Sequence, residues 1–190
     1  MSDTQFTLFD TAIGACGIAW GERGIVGLQL PESSEDKARA RLRRRFPQAA
    51  ETPPPAAIKR AIDLIVRHLR GEPSDLSAIA LDVEALPAFE RNVYEVARTI
   101  PPGATLTYGE IAARLGDKLL SRDVGQALGR NPFPIVVPCH RVLAANGKTG
   151  GFSATGGRAT KLRLLTIEGA HLGDAPTLFD AVGGLPYRAA

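Results

Sequence analysis

Short apolar runs broken by glycine open the chain: FTLFD from Phe6, IGACGIAW from Ile13 and GIVGLQL from Gly24. Runs of this length between turn residues predict strands of an antiparallel sheet. Ser34 is placed to cap a helix over the polar stretch Glu35 to Phe46. Pro53, Pro54 and Pro55 interrupt the chain, and Ile58, Ile62, Ile65 and Leu69 then recur at helical spacing, with Gly71 as the stop. Residues 77–83 predict one more strand. Beyond Pro87, Phe89, Val93 and Val96 share a helical face that Pro101-Pro102-Gly103 terminates. Thr107 suits the cap of a short helix closed by Gly116, and Ser121 the cap of a second, stopped by Pro132. Two short helices joined by a tight turn form a helix-turn-helix pattern. The apolar run FPIVVP then leads directly into Cys139-His140-Arg141, and a glycine-rich loop covers 147–157. A last helix, RATKLRLLTIEG, carries Leu162, Leu165 and Glu168, and a tail rich in Gly, Pro and Ala runs from 173.

Composition narrows the classes. Of 190 residues, 44% are hydrophobic and 23% charged, which suits a globular chain and excludes a disordered one. No stretch approaches the ~20 apolar residues of a membrane helix, and the segment MSDTQFTLFD lacks the apolar core of a signal peptide. The expectation is a cytoplasmic protein. The net charge of +3 permits a nucleic-acid partner. Lys37 to Arg45 holds six cations in nine residues, readable as a phosphate-binding patch or as a solvated helix face. A structural metal needs about four N or S ligands. Outside the Cys139-His140 pair only Cys16, His68 and His171 remain, widely spaced, so no metal and no cofactor are expected.

Cys139 is the candidate nucleophile. A thiol attacks as thiolate, and a neighbouring imidazole can serve as its base. Yet adjacent side chains on an extended segment face opposite ways. His140 therefore needs a sharp turn or a water to reach the sulfur. On these two residues alone, a buried structural cysteine beside a satisfied histidine stands equally open. Placement after a proline-bounded run, before a glycine-rich loop and downstream of a helix-turn-helix, favours a presented reactive group.

The stretch NPFPIVVPCHRVLAANGKTGGF, with IPPGATLTYGEIAARLG, SRDVGQALGRNP and KLRLLTIEG, resembles the O6-alkylguanine-DNA alkyltransferases, also called methylated-DNA–protein-cysteine methyltransferases. The similarity runs from about Phe89 to Gly169, with a weaker match in the family's order upstream. It implies an α/β protein in two parts. A ribonuclease H-like sheet-and-helix domain would cover 1–84, a winged helix-like helix-turn-helix domain 85–172, and a tail 173–190. It implies a monomer that binds double-stranded DNA containing O6-alkylguanine from the minor-groove side. There it would flip out the damaged base and take the alkyl group irreversibly. By resemblance Cys139 is the acceptor, His140 activates it through a water, and Glu168 orients the histidine. Asn131 braces the active-site turn, and Tyr108 crowds the target phosphate and protonates the leaving base. Arg122 fills the vacated stack, and Gly125 lets the DNA-facing helix approach closely. The carbonyls of Val142 and Cys139 receive the exocyclic amine, and Ser153 donates to O6.

Without the resemblance, Tyr108 reads first as a core residue and Arg122 first as a surface cation, and Asn131 is open to being only a turn former. Asp123 stands where the family usually has a small apolar residue. It is expected to weaken DNA binding or to pair with Arg122. Phe152 replaces a common tyrosine, and the loop FSATGG is about two residues longer than in many relatives. A non-catalytic reader of alkylated bases and a thiol hydrolase using Cys139 and His140 are the competing classes. The first would have another residue at the cysteine, and the second would turn over.

Overall fold

The computed structural model describes residues 4–145 and 148–170; Asn146, Gly147, His171 and the tail expected over 173–190 lie outside them. The chain forms two compact units. The first comprises the chain up to Arg70, Ser74–Leu86 and Pro132–Val136. The second comprises Gly71–Pro73, Pro87–Asn131 and the chain from Val137 onward.

The glycine-punctuated apolar runs become the antiparallel strands β1 (Gln5–Thr11), β2 (Gly14–Gly21) and β3 (Gly24–Gln29). A short β4 (Ala50–Glu51) joins β1 in parallel, giving the order β3-β2-β1-β4. Helix α1 (Glu35–Arg45) starts where expected, the Ser34 hydroxyl accepting from Lys37 N. It lies on the sheet over Gly17, where a Cβ would sit 2.5 Å from Leu42 Cδ1. Only glycine lets helix and sheet approach so closely. Phe6, Ala19 and Leu42 form the centre of that contact, with Leu8, Val26 and Phe46 around it. Helix α2 (Ala56–Leu69) buries Ile58, Ile65 and Leu69.

One expectation and one open reading are decided here. The strand over 77–83 reduces to a single bridge, Ile25 to Leu81. Ile25 N donates to Ala80 O there and Ile25 O accepts from Asp82 N, but Asp75 bends the preceding chain by accepting from Ser77 N. The cations of α1 are mostly engaged with nearby acids rather than gathered for phosphate. Arg39 pairs with Glu35 and Glu51, Arg41 with Glu32, and Arg43 with Glu51. Arg45 donates to the carbonyls of Leu28 and Pro132.

In the second unit, α3 (Ala88–Arg98) buries Glu90, Val93, Tyr94 and Ala97, a stripe turned slightly from the expected one. Its polar members have partners. The Tyr94 hydroxyl donates to Ala127 O, and Arg130 donates to Glu90 at 2.8 Å. Strand β5 (Leu106–Thr107) runs into α4 (Tyr108–Arg114), where Thr107 and Glu110 complete a capping box. The second helix of the pair, α5 (Ser121–Gly129), is not capped by Ser121. Asp117 instead caps a 3-10 turn over Lys118–Leu120 that leads straight into α5. After β6 (Val142–Leu143) the chain ends its described part with α6 (Gly157–Ile167).

Leu42 is fully buried, and Leu42→Ala is expected to cost about 2–5 kcal/mol by emptying the space over Gly17. Urea unfolding followed by the fluorescence of Trp20, the chain's one tryptophan, reads this directly.

Candidate active site

Two parallel strands bring the site together. Leu106 pairs with Val142 and Thr107 with Leu143. Tyr108 follows the first strand, and Cys139-His140-Arg141 precede the second, so phenol and thiol converge. The sharp turn that the sequence required is present: Cys139–Arg141 form a 3-10 turn, closed by Arg141 N donating to Pro138 O. It separates the neighbours. Cys139 is partly exposed and lines a cavity of about 400 Å³ with Tyr108, Gly125, Leu128, Phe152 and Ser153. His140 points away from solvent and is fully buried. Asn131 braces the turn by donating through Nδ2 to Val137 O at 2.8 Å, and its side chain also favours the Cys139 thiolate.

Behind the cysteine lies a buried ionic cluster. Glu168, at the end of α6, meets His140 Nε2 at 2.8 Å and receives Arg141 Nε and Nη2, both at 2.8 Å. Arg141 Nη1 reaches Ile100 O. The bidentate pair is the strong form of a charge-assisted contact. With the Nε2 proton directed at Glu168, the buried Nδ1 of His140 carries the lone pair. The nitrogen that can take a proton is thereby defined.

Burial pushes the Cys139 thiol above its ordinary value, offset in part by Asn131, Lys161 and nearby backbone amides. Lys161 is fully buried on α6 and donates to Val142 O at 2.6 Å. Burial lowers its pKa to about 8, against the opposing pull of Cys139. Tyr108 is pushed up by burial first and by the cysteine's negative charge second. The resting site therefore holds a protonated thiol and a protonated phenol, with an ammonium in range of the sulfur.

Of the residues singled out in the sequence, Cys139, Tyr108, Gly125 and Ser153 line the cavity, and Asn131, His140 and Glu168 support it. Arg122 lies outside, exposed on α5, and no ion pair joins it to Asp123 among the described residues. A Cβ at Gly125 would meet the Tyr108 ring at an ordinary 3.8 Å, so any need for glycine there comes from a ligand. At Gly150 the protein itself needs one: φ is +65° and a Cβ would lie 3.1 Å from Tyr108 Oη. The Val142 carbonyl already holds Lys161, and the Ser153 hydroxyl donates to Gly129 O. Sequence reasoning passed over Arg141 and Lys161. The signal for Lys161 was present, because a lysine shares the helical spacing of the buried Leu164, Leu165 and Glu168. No group of three metal-binding side chains occurs among the described residues.

Alkylation of Cys139 by iodoacetamide, followed by mass, tests the electrostatics. Cys16 is buried and pushed up to about 12, so it stays silent. Lys161 lowers the Cys139 pKa, so Lys161→Met moves the midpoint of labelling to higher pH. The rate at neutral pH falls about tenfold per unit of that move. The same change removes the Lys161 bond to the Val142 carbonyl, at about 1–3 kcal/mol for a buried acceptor left unpaired, and a thermal melt separates the two effects.

Comparison with known proteins agrees with this geometry. The family model for the 6-O-methylguanine DNA methyltransferase DNA-binding domain matches residues 88–170. The methylated-DNA–protein-cysteine methyltransferase of Methanothermobacter thermautotrophicus is 38% identical over 156 residues, 82% of this chain and 80% of that protein. The crystal structure of Mycobacterium tuberculosis OGT in complex with DNA is similar at a TM-score of 0.67 and 29% identity, covering 87% of this chain and 92% of that one. The O6-methylguanine-DNA methyltransferase of Pyrococcus kodakaraensis is similar at a TM-score of 0.69 and 25% identity, over 87% of this chain and 100% of that one. With the identity spread over most of both proteins and the fold shared, the chain belongs to the methylated-DNA–protein-cysteine methyltransferase family.

Proposed function

We propose that this protein repairs alkylated DNA by moving the alkyl group from O6 of guanine to the sulfur of Cys139, once per molecule. The observation that carries the reading is the placement of Cys139. Cys139 lines a cavity bordered by the second helix of a helix-turn-helix pair, and His140 and Arg141, which follow it in the same turn, form a buried cluster with Glu168.

In this reading, α5 approaches double-stranded DNA from the minor-groove side, as a monomer and largely without regard to sequence. Such binding weakens with salt as phosphate counterions are released. The damaged nucleotide turns out of the stack, at about a few kcal/mol, and Arg122 occupies the space it leaves. Inside the cavity, the backbone carbonyls of Cys139 and Val142 receive the exocyclic amine. The Val142 oxygen has a second lone pair for this beside its bond to Lys161. Ser153 releases Gly129 O to donate to O6.

The thiol proton passes to His140 Nδ1 through a water, while Glu168 holds Nε2 and stabilises the imidazolium. Lys161 favours the thiolate while it exists. The sulfur attacks the alkyl carbon, the S–C bond forms and the C–O6 bond breaks. Its electron pair stays on guanine, which takes a proton from Tyr108. Reprotonation of the phenol by way of the site leaves the thiol's proton on the base. The product thioether offers no leaving group to water, so the cysteine is not regenerated.

Intact mass after incubation with duplex DNA containing O6-methylguanine is expected to rise by one methyl group in wild type and to stay fixed in Cys139→Ala. A folded wild type of unchanged mass would sink the reading, and multiple turnovers per molecule would favour a thiol hydrolase. Tyr108→Phe is expected to slow methyl transfer by about a hundred- to ten-thousand-fold, the range for a lost general acid, measured in single-turnover quench experiments. Asp123→Ala is expected to tighten duplex binding by about two- to fivefold, the scale of an exposed charge, as read by fluorescence anisotropy.

A further inference from the structure

Leu119 has 86% of its surface in water and is the one exposed large apolar side chain among the described residues. Looseness does not account for this. The turn that carries it is fixed, with Asp117 Oδ1 accepting from Leu119 N at 2.8 Å and Asp117 O accepting from Leu120 N. The neighbouring Leu120 is partly covered and borders a separate dent with Phe89, Asp123 and Gln126. The turn thus directs one leucine inward and holds the other out.

Direction is what makes the exposure informative. Side chains three apart share a side of a 3-10 turn and of the helix that continues it. Leu119 therefore projects with Arg122, and the same face continues to Gly125 and Gly129, which border the cavity holding Cys139. One helix face runs from an apolar tip, past an exposed cation, to the mouth of the reactive cavity. With a rise of about 1.5–2 Å per residue, Leu119 stands about 5 Å beyond Arg122. That is between one and two base steps of about 3.4 Å.

We infer that Leu119 is an apolar wedge of the DNA-binding face, packed into the minor groove one to two base steps from the nucleotide that Arg122 replaces. Apolar side chains used this way lean on base edges and sugars and help to unstack a step. The leucine and arginine then divide the work. Arg122 fills the hole, and Leu119 props open the neighbouring stack while losing its contact with water. The contact carries no charge, so it adds affinity without adding to the release of counterions. The inference rests on the proposed action on alkylated DNA.

The test uses the full chain, a duplex containing O6-methylguanine, and fluorescence anisotropy over a range of salt. Leu119→Ser is expected to weaken binding about tenfold with the slope of log affinity against log salt unchanged, and Leu119→Met to restore most of the loss. Iodoacetamide labelling of Cys139 is expected to proceed at the wild-type rate in both variants, which shows that the site is intact. Equal affinity in Leu119→Ser and wild type overturns the inference. A loss accompanied by a changed salt slope overturns it as well, since that marks a displaced Arg122. Concentration-dependent self-association in the wild type that Leu119→Ser abolishes also overturns it, by making a second copy of the chain the occupant. The repair reading fails separately, through the absence of a methyl gain on the wild-type protein, whatever the affinities.

Discussion

A carboxylate at the end of α6 organises the reactive part of this protein. Glu168 is buried and takes hydrogen bonds from Arg141 while also meeting the His140 ring. A charge so far from water persists only with close partners, so the three side chains specify one another. Arg141 reaches on to the Ile100 carbonyl at the end of α3, which ties that helix to the same point. His140 and Arg141 belong to the 3-10 turn that begins at Cys139. Drawing both side chains inward leaves the cysteine as the member of the turn that faces the cavity. The ionic cluster is thus the reason that the thiol is presented at all.

The same burial that sustains the cluster restrains the chemistry. A thiol pushed up by desolvation is mostly protonated near neutrality. In the proposed single transfer, the acceptor gains from being quiet towards chance electrophiles. Asn131 and Lys161 act against the desolvation, which keeps the thiolate within reach. Tyr108 is pushed up by burial as well, and so keeps its proton. Phenol and thiol border one cavity, both in their protonated forms.

Polar burial also shaped the scaffold in ways that apolar periodicity does not report. On α3 the inner stripe includes Glu90 and Tyr94, because Arg130 and the Ala127 carbonyl receive them on the α5 side. On α1 the run of arginines that suggested a phosphate patch is largely absorbed by Glu32, Glu35 and Glu51. Backbone strain at Ile135 is equally invisible to apolar periodicity. This residue is β-branched and sits at φ +78°, a conformation that costs about 1–3 kcal/mol. Its burial within the apolar run before Cys139 holds it there.

Three of the strands, the order of the helices, the helix-turn-helix pair and the chemical vocabulary of the site are legible in the sequence. Those features are local. Glycine and proline set chain direction within a few residues, caps sit beside the helices they start, and the motif around Cys139 is contiguous. Tyr108, Asn131 and Glu168 were legible only because a family resemblance supplied the long-range register. The tertiary structure alone decided which polar groups go inside and what holds them. Lys161 shares the spacing of buried residues, but what holds its ammonium is the Val142 carbonyl, and Arg141 is a motif residue without a task until Glu168 and Ile100 receive it. It also decided that Ser153 rests on Gly129 and that Arg122 and Asp123 point free of each other. The physical reason is the same in each case. A buried charge or hydroxyl is stable or not according to partners distant in the chain, and desolvation depends on everything packed around a group rather than on its neighbours in sequence.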